Sequence, residues 1–180
     1  MFHNLCRVSL AFSVLALALV AGPMAGHAQS TTKGSSGLPL PRFVSLKAEK
    51  VNLRIGPSTD YAVSWRYMKS GLPVEIIREY ENWRQIRDAD GTEGWVNQTL
   101  LTGERTAVAA PWMRGNGDNV YVMMRRDSNS SSAVIAKLEP GVVLKLSECN
   151  GNWCRAETGG VSGWLSQNEI WGAYPGEAFK

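Results

Sequence analysis

Two stretches of this chain are versions of one another, and that repetition limits the size of anything it can fold into. "ENWRQIRDADGTEGWV", Glu81 to Val96, aligns with "GNWCRAETGGVSGWL", Gly151 to Leu165. Asn82-Trp83 falls on Asn152-Trp153 at an offset of 70 residues, and Gly94-Trp95 falls on Gly163-Trp164 at 69, so a one-residue difference lies in the turn between them. Upstream, "GLPVEII" from Gly71 matches "GVVLKLS" from Gly141, and "VNLRIGPSTDYAV" (Val51 to Val63) matches "VMMRRDSNSSSAV" (Val122 to Val134). A unit of about sixty residues is within the range that folds alone, but with little margin. Two such copies read as two small domains, because a stacked array needs three or more repeats.

Within each copy the apolar period is two. Leu72, Val74 and Ile76 alternate with Pro73 and Glu75, as Val142, Leu144 and Leu146 alternate with Val143 and Lys145. Turn signals at Gly56-Pro57, Ser70-Gly71, Asp88-Ala89-Asp90-Gly91 and Glu93-Gly94 cut the first copy into short strands. The expectation is an all-β chain of two tandem small barrels, each of about five strongly bent antiparallel strands with one buried face. Val51, Leu53 and Ile55 are expected to face inward, and helix to be confined to short turns at "NQTLL" and "SQNEI".

Residues 1–28 read as a secretory signal: Arg7, the apolar core "LAFSVLALALV", then Gly26-His27-Ala28 before Gln29. That core is too short to span a bilayer comfortably, and no second apolar run follows. Cys6 precedes the core, which is the wrong place for a lipid anchor. A free periplasmic or secreted protein without a stable membrane span is expected. Composition then divides the rest into a flexible linker at 29–41, a first domain at 42–102, an inter-domain linker at 103–118, a second domain at 119–172 and a tail at 173–180. "RTAVA" within the inter-domain linker has the composition of an extra edge strand, and the tail "YPGEAFK" has no obvious partner.

Removing the signal removes Arg7, His3 and His27, which leaves 18 basic and 16 acidic residues and no histidine. A balance of +2 with interspersed signs gives no footprint for nucleic acid. Without histidine there is no Ser-His or Cys-His pair to activate a nucleophile. Cys149 and Cys154 flank a turn-forming Asn-Gly and are expected to form a disulfide across a hairpin neck; C-x-x-C redox spacing is absent. Asp88 and Asp90 have the separation of a turn, not of carboxylates facing across a cleft. A calcium loop counted from Asp88 would need an acid where Thr99 stands, and zinc needs at least three nitrogen or sulfur ligands. "RIGPSTDY" lacks the glycines, the lysine and the helix of a phosphate cradle. No enzymatic activity, metal or cofactor is therefore expected.

The order "VNLRIGPSTDYAV", a glycine before an apolar strand, "NW", then "GWV" resembles the bacterial SH3 (SH3b) domain. The second copy keeps "VMMR", "PGVVLKL", "NW" and "GWL" but has "DSNSSS" in place of "GPSTDY", so it resembles a divergent member. The resemblance implies two SH3-like barrels and a binding role, with peptidoglycan or another cell-envelope ligand as partner; the alternative is a protein-interaction or scaffold module for a periplasmic protein.

Candidate ligand-binding residues come from the aromatic surplus of the first copy: Tyr61, Trp65, Tyr67, Tyr80, Trp83 and Trp95. A barrel of this size cannot bury so many rings, and planar faces suit peptide or sugar recognition. Tyr61 ends the Gly-Pro loop, where it can wall a shallow groove with Asp60 at the lip, or fold down as a cap. Trp83 can line that groove or enter the core, while Trp95, following a glycine, has a structural alternative. Arg54 suits a ligand carboxylate in bidentate fashion, or the loop carbonyls beside it.

Overall fold

Seventeen short strands carry the chain in the computed structural model, which describes residues 32–180. The expected signal, residues 1–28, lies outside them. β1 (Thr32–Lys33) and β2 (Pro39–Leu40) form a small hairpin. β3 (Arg42–Leu46), β4 (Val51–Arg54), β5 (Val63–Tyr67), β6 (Pro73–Tyr80), β7 (Trp83–Arg87), β8 (Glu93–Asn97) and β9 (Leu101–Thr102) form an antiparallel sheet in the order β5-β4-β8-β7-β6-β3-β9. β10 (Thr106–Ala109), β11 (Val122–Arg125), β12 (Val134–Leu138), β13 (Val143–Asn150), β14 (Trp153–Thr158), β15 (Val161–Ser166) and β16 (Ile170–Trp171) repeat it as β12-β11-β15-β14-β13-β10-β16, with β17 (Ala178–Phe179) added beside β13.

The five strands expected in each copy are β4 to β8 and β11 to β15. Each set gains one earlier strand beside its longest strand and a two-residue closing strand. β-Bulges between Ile76 and Arg78 and between Leu146 and Glu148 bend those long strands and let each sheet curl over its core. Short 3-10 turns at Gln98–Leu100 and Gln167–Glu169 fall where "NQTLL" and "SQNEI" place them; a third occupies Pro111–Met113. Among the described residues no helix is long and apolar enough to cross a membrane.

The period-two pattern delivers the cores. Leu46, Val51, Leu53, Val74, Ile76, Ile86 and Val96 pack in the first barrel, and Val122, Met124, Leu144, Leu146, Ala156 and Leu165 in the second. Burial stabilises by roughly 2 kcal/mol for each large aliphatic chain. The glycine of each Gly-Trp pair is required by close packing: a Cβ on Gly94 would strike the Leu53 side chain at 2.5 Å, and one on Gly163 the Arg125 carbonyl at 2.6 Å.

Four features differ from the sequence reading. Ile55 is 65% exposed, because a register shift between Leu53 and Arg54 ends β4 and breaks the alternation before it reaches Ile55. β6 is buried on both faces from Pro73 to Ile76, not on one, because the second barrel covers its outer side at Glu75. The segment read as an inter-domain linker contains β10, buried throughout and paired on both sides, to β13 and β16. The tail read as partnerless packs between the barrels, which lie in one compact unit, Thr31–Lys180.

That joint is specific. Phe43 meets Trp171 edge-on at 4.9 Å and Tyr174 at 4.7 Å between ring centroids. The Tyr174 hydroxyl donates to Glu75 Oε1 at 2.8 Å, and Arg87 donates to Glu75 Oε2 at 3.2 Å. Burial, then the Glu75 hydrogen bond and charge, raise the Tyr174 phenol far above its ordinary range. Ser45 and Thr106 share a buried hydroxyl contact of 2.6 Å. Arg105 reaches both carboxylate oxygens of Glu177 and the Gly172 carbonyl, and its guanidinium lies 4.2 Å from the centre of the Phe179 ring.

Glu79 ties the β1-β2 hairpin to β6 by accepting from the Ser36 N–H and hydroxyl, both at 2.8 Å, and from Arg42 at 2.6 Å. Burial alone raises its carboxyl; the Ser36 and Arg42 hydrogen bonds and the Arg42 charge outweigh this and bring it down to about 2. The folded value lies below the unfolded one, so this carboxylate stabilises the fold above pH 4.5 and loses its effect as pH falls through about 2. Glu79→Gln is expected to flatten the dependence of unfolding free energy on pH over that interval by up to roughly 3 kcal/mol. Urea titrations at stepped pH measure it; parallel curves for both proteins would show that Glu79 carries no such linkage.

Cys149 and Cys154 are bonded across the β13-β14 neck, in register as a cross-strand pair with a Cα–Cα distance of 4.1 Å. Opening a loop this short costs about 2 kcal/mol on the chain-entropy model. Unfolding of the double Cys149→Ser, Cys154→Ser variant, followed by Trp fluorescence in urea, is expected to show that loss, with the variant still folded.

Candidate functional site

Strand alternation sorts the candidate residues. On β4, Val51 and Leu53 are buried and Arg54 points outward; on β8, Gly94 and Val96 are buried and Trp95 points outward; on β7, Arg84 and Ile86 are buried and Trp83 and Gln85 point outward. The register places Arg54 opposite Trp95 and Trp95 opposite Gln85, one row across the outer face. Trp83 stands opposite Tyr80 and Asn97, diagonal to Trp95, within the reach of aromatic side chains. Trp83 and Trp95 are half-buried on this face, and Tyr80 is exposed.

Tyr61 neither enters the core nor stands free. Its ring lies on Gly56, where a Cβ would meet ring atoms at 2.6 Å, and it remains 47% exposed. Only glycine leaves room for that ring, so Gly56 serves the loop by close approach as well as by making the turn. Arg54 Nη1 donates to the carbonyls of Thr59 at 2.9 Å and Tyr61 at 2.6 Å, which holds the loop closed beneath the ring. The matched Arg125 does the same toward the Ser132 carbonyl at 2.8 Å. Of the two roles open to this arginine, loop closure is the one occupied here. Asp60 is exposed at the lip, and its carboxylate accepts from the Ser58 hydroxyl at 3.0 Å.

A second feature gathers Trp65 and Tyr67 from the aromatic surplus, and Asp88 and Asp90 from the turn, at a place that the sequence reading does not indicate. An open cleft of about 520 Å³ runs between the barrels. Trp65, Tyr67, Met68, Leu72, Asp88 and Asp90 line the first-barrel side, and Val108, Arg114, Gly141 and Val143 line the other. Trp65 is 57% and Met68 63% exposed. The Tyr67 hydroxyl donates to Asp88 Oδ2 at 3.0 Å; burial, then the Asp88 charge and hydrogen bond, push that phenol well above its usual range. Asp88 Oδ1 accepts from the N–H groups of Asp90 and Thr92, which makes "DADG" a carboxylate-braced turn. Among the described residues, no three metal-ligating side chains gather as a metal would require. One signal for the cleft was present in the repeat: Trp65 aligns with Ala136, so its ring is not needed to build the barrel.

The family model described as Bacterial SH3 domain matches the chain over residues 47–103 and 118–172, one segment in each barrel. The chain belongs to the bacterial SH3 domain family. Among curated proteins the SH3 chain is similar to YrvJ of Bacillus subtilis (strain 168), named provisionally as an N-acetylmuramoyl-L-alanine amidase, with 26% identity over 130 residues. The match covers 69% of this chain and 24% of YrvJ. Among solved structures it is similar to NlpC2 from Trichomonas vaginalis (9% identity, TM-score 0.32, 73% of this chain and 48% of that one). It is also similar to an NlpC/P60 family protein from Bacillus cereus ATCC 10987 (10% identity, TM-score 0.31, 72% and 55%). The chain thus spans about a quarter of YrvJ and about half of each of these structures.

The expectation of no enzymatic activity is corrected by the YrvJ match, since the relative is itself named as an amidase. That expectation rested on the missing histidine in residues 29–180, which describes the side chains of the SH3 domains and not the class of protein in which such domains occur.

The Arg54 clasp gives a direct test of the loop. Arg54→Met removes both carbonyl hydrogen bonds and is expected to cost about 1–2 kcal/mol. Amide exchange over residues 58–61 should accelerate about tenfold as the loop opens. Exchange unchanged from the parent would show that the loop closes without the guanidinium.

Proposed function

We propose that this protein binds the bacterial cell wall, with peptidoglycan as ligand, through the outer face of its first SH3 domain, on the outer side of the membrane. The observation that carries this reading is the aromatic face itself: Trp83, Trp95 and Tyr80 stand on adjoining strands, with Tyr61 and Asp60 on the loop above Arg54. Half-buried rings beside polar neighbours present flat apolar surface at low entropic cost, which suits sugar rings and short peptides. Membership of the bacterial SH3 domain family and similarity to a protein named as an N-acetylmuramoyl-L-alanine amidase point to the same polymer. In this reading Arg54 positions the loop, while Tyr61, Trp83 and Trp95 touch ligand and Asp60 supplies charge at the edge.

The second domain keeps Trp153 and Trp164 at the matched positions but has Ser132 where the first has Tyr61, so the better face belongs to the first. A second reading, docking on a periplasmic protein, is favoured by the exposed Val134, Ile135 and Val161 of that second domain. A stoichiometric partner retained by the full chain, and released by changing those three residues to serine, would support it.

The wall reading is tested by co-sedimentation of the full chain with purified sacculi. Retention is expected, with Trp83→Ala and Trp95→Ala each weakening it about tenfold and Tyr61→Ala weakening it severalfold. Absence of retention would remove the wall as ligand, and full retention by a variant carrying Tyr61→Ala, Trp83→Ala and Trp95→Ala together would remove this face as the site.

A further inference from the structure

We propose that the cleft between the two barrels is a separate binding site for an extended peptide carrying a cationic side chain next to an apolar one. The cleft is about 520 Å³, the size of a site for a few residues. One wall is the consecutive run Trp65, Arg66, Tyr67 and Met68 at the end of β5. β5 is an edge strand of the first sheet, with β4 as its single partner among the described residues. An extended chain can therefore run beside it, and the exposed Trp65 and Met68 offer apolar cover on the same side.

The charge pattern selects the ligand. Asp88 and Asp90 lie at the first-barrel side of the cleft, and Arg114 reaches across from the second barrel to Asp90 Oδ1 at 2.8 Å. That pair is a surface one, with side chains 43% and 65% exposed, so it contributes little and exchanges readily. The Asp88 carboxylate is already engaged by Tyr67 and two backbone N–H groups, whereas among the described residues the Asp90 carboxylate is held by Arg114 alone. A ligand ammonium or guanidinium entering the cleft takes the place of Arg114 at Asp90, with the Trp65 indole in the same cleft to receive it. The cleft also carries Arg66, which donates to Asn52 Oδ1 at 2.8 Å, so with Arg114 displaced it is the Asp90 carboxylate that meets a ligand, and a cationic side chain is favoured there over an anionic one.

The second copy shows that the barrel does not need these groups. At the matched positions Trp65 becomes Ala136, Tyr67 becomes Leu138, Met68 becomes Glu139, Asp88 becomes Thr158 and Asp90 becomes Gly160. The fold is the same in both copies, so the exposed Trp65, Met68 and Asp90 are free to serve the cleft; the Tyr67 ring also packs in the first core, where Leu138 takes its place in the second. The site is also composite, because Arg114, Val108 and Val143 come from beyond the first barrel and are held there by the joint at Phe43, Glu75 and Tyr174.

The test uses the full chain and two capped probe peptides, acetyl-Ala-Val-Lys-Val-Ala-amide and the same peptide with Glu in place of Lys, followed by amide chemical shifts. The Lys peptide is expected to shift resonances at residues 65–68 and 88–92 and to bind at least about tenfold more tightly than the Glu peptide. Trp65→Ala, harmless to the fold because the second copy carries alanine there, and Asp90→Asn should each weaken it about tenfold. Arg114→Gln should tighten it by freeing Asp90, an effect that loss of a merely structural contact would not produce. Trp83→Ala, on the outer face, should leave it unchanged whether or not sacculi are bound. Equal binding of the two peptides, shifts elsewhere, no binding, or weaker binding by Arg114→Gln would overturn the proposal.

Discussion

The contact between the Tyr174 hydroxyl and the buried Glu75 carboxylate decides how the two barrels sit, and much else in the molecule depends on it. A carboxylate on the outer face of β6 would ordinarily stay in water. Here it is 7% exposed, and burial at that level is tolerable only because Tyr174 and Arg87 supply donors. The same tyrosine lays its ring on Phe43, and Glu177 pins the tail to Arg105. The tail thus joins the Phe43–Trp171 and Ser45–Thr106 contacts in holding the two barrels as one body, and the cleft is a consequence of that placement.

Duplication followed by divergence reads clearly in the two copies. Both retain the arginine that closes the first loop, the Gly-Trp step under the sheet and the bulge that curls the long strand. What they do not share is chemical surface. The first copy keeps Tyr61 on its loop and Trp65 on its edge; the second has Ser132 and Ala136, and adds the Cys149–Cys154 bond at its hairpin neck. The first copy carries the exposed aromatic rings, while the second carries the disulfide, and both contribute residues to the joint.

The sequence made the strands legible, because period two marks the buried face of a paired strand, but it left Trp83 open between groove and core and Trp95 and Arg54 with structural alternatives. The register of β4, β7 and β8 is what puts Trp83, Trp95 and Arg54 on the outer face. Ile55 escaped the period-two rule, since a bulge resets the alternation and leaves no compositional mark. Tyr61 escaped it too: its ring position is set by contact with Gly56 and by carbonyls gathered on Arg54, which are loop properties and not strand properties. Trp65 has the parity of the core residues Leu53 and Tyr67, yet it lies where the edge strand runs past the packed interior, so it is exposed.

The sequence by itself determined two small β-barrels, their strands, the disulfide pair and the pool of aromatic side chains, because these depend on local period, turn chemistry and spacing. Only the tertiary structure decided that β10 and the tail belong to the folded body, that Glu75 is buried, and that a Trp-lined cleft between the barrels exists at all. Those features arise where residues about a hundred positions apart, such as Glu75 and Tyr174, meet across two separately closed sheets. No local pattern encodes which outer faces two barrels will turn toward each other; shape and charge complementarity between finished surfaces decides it.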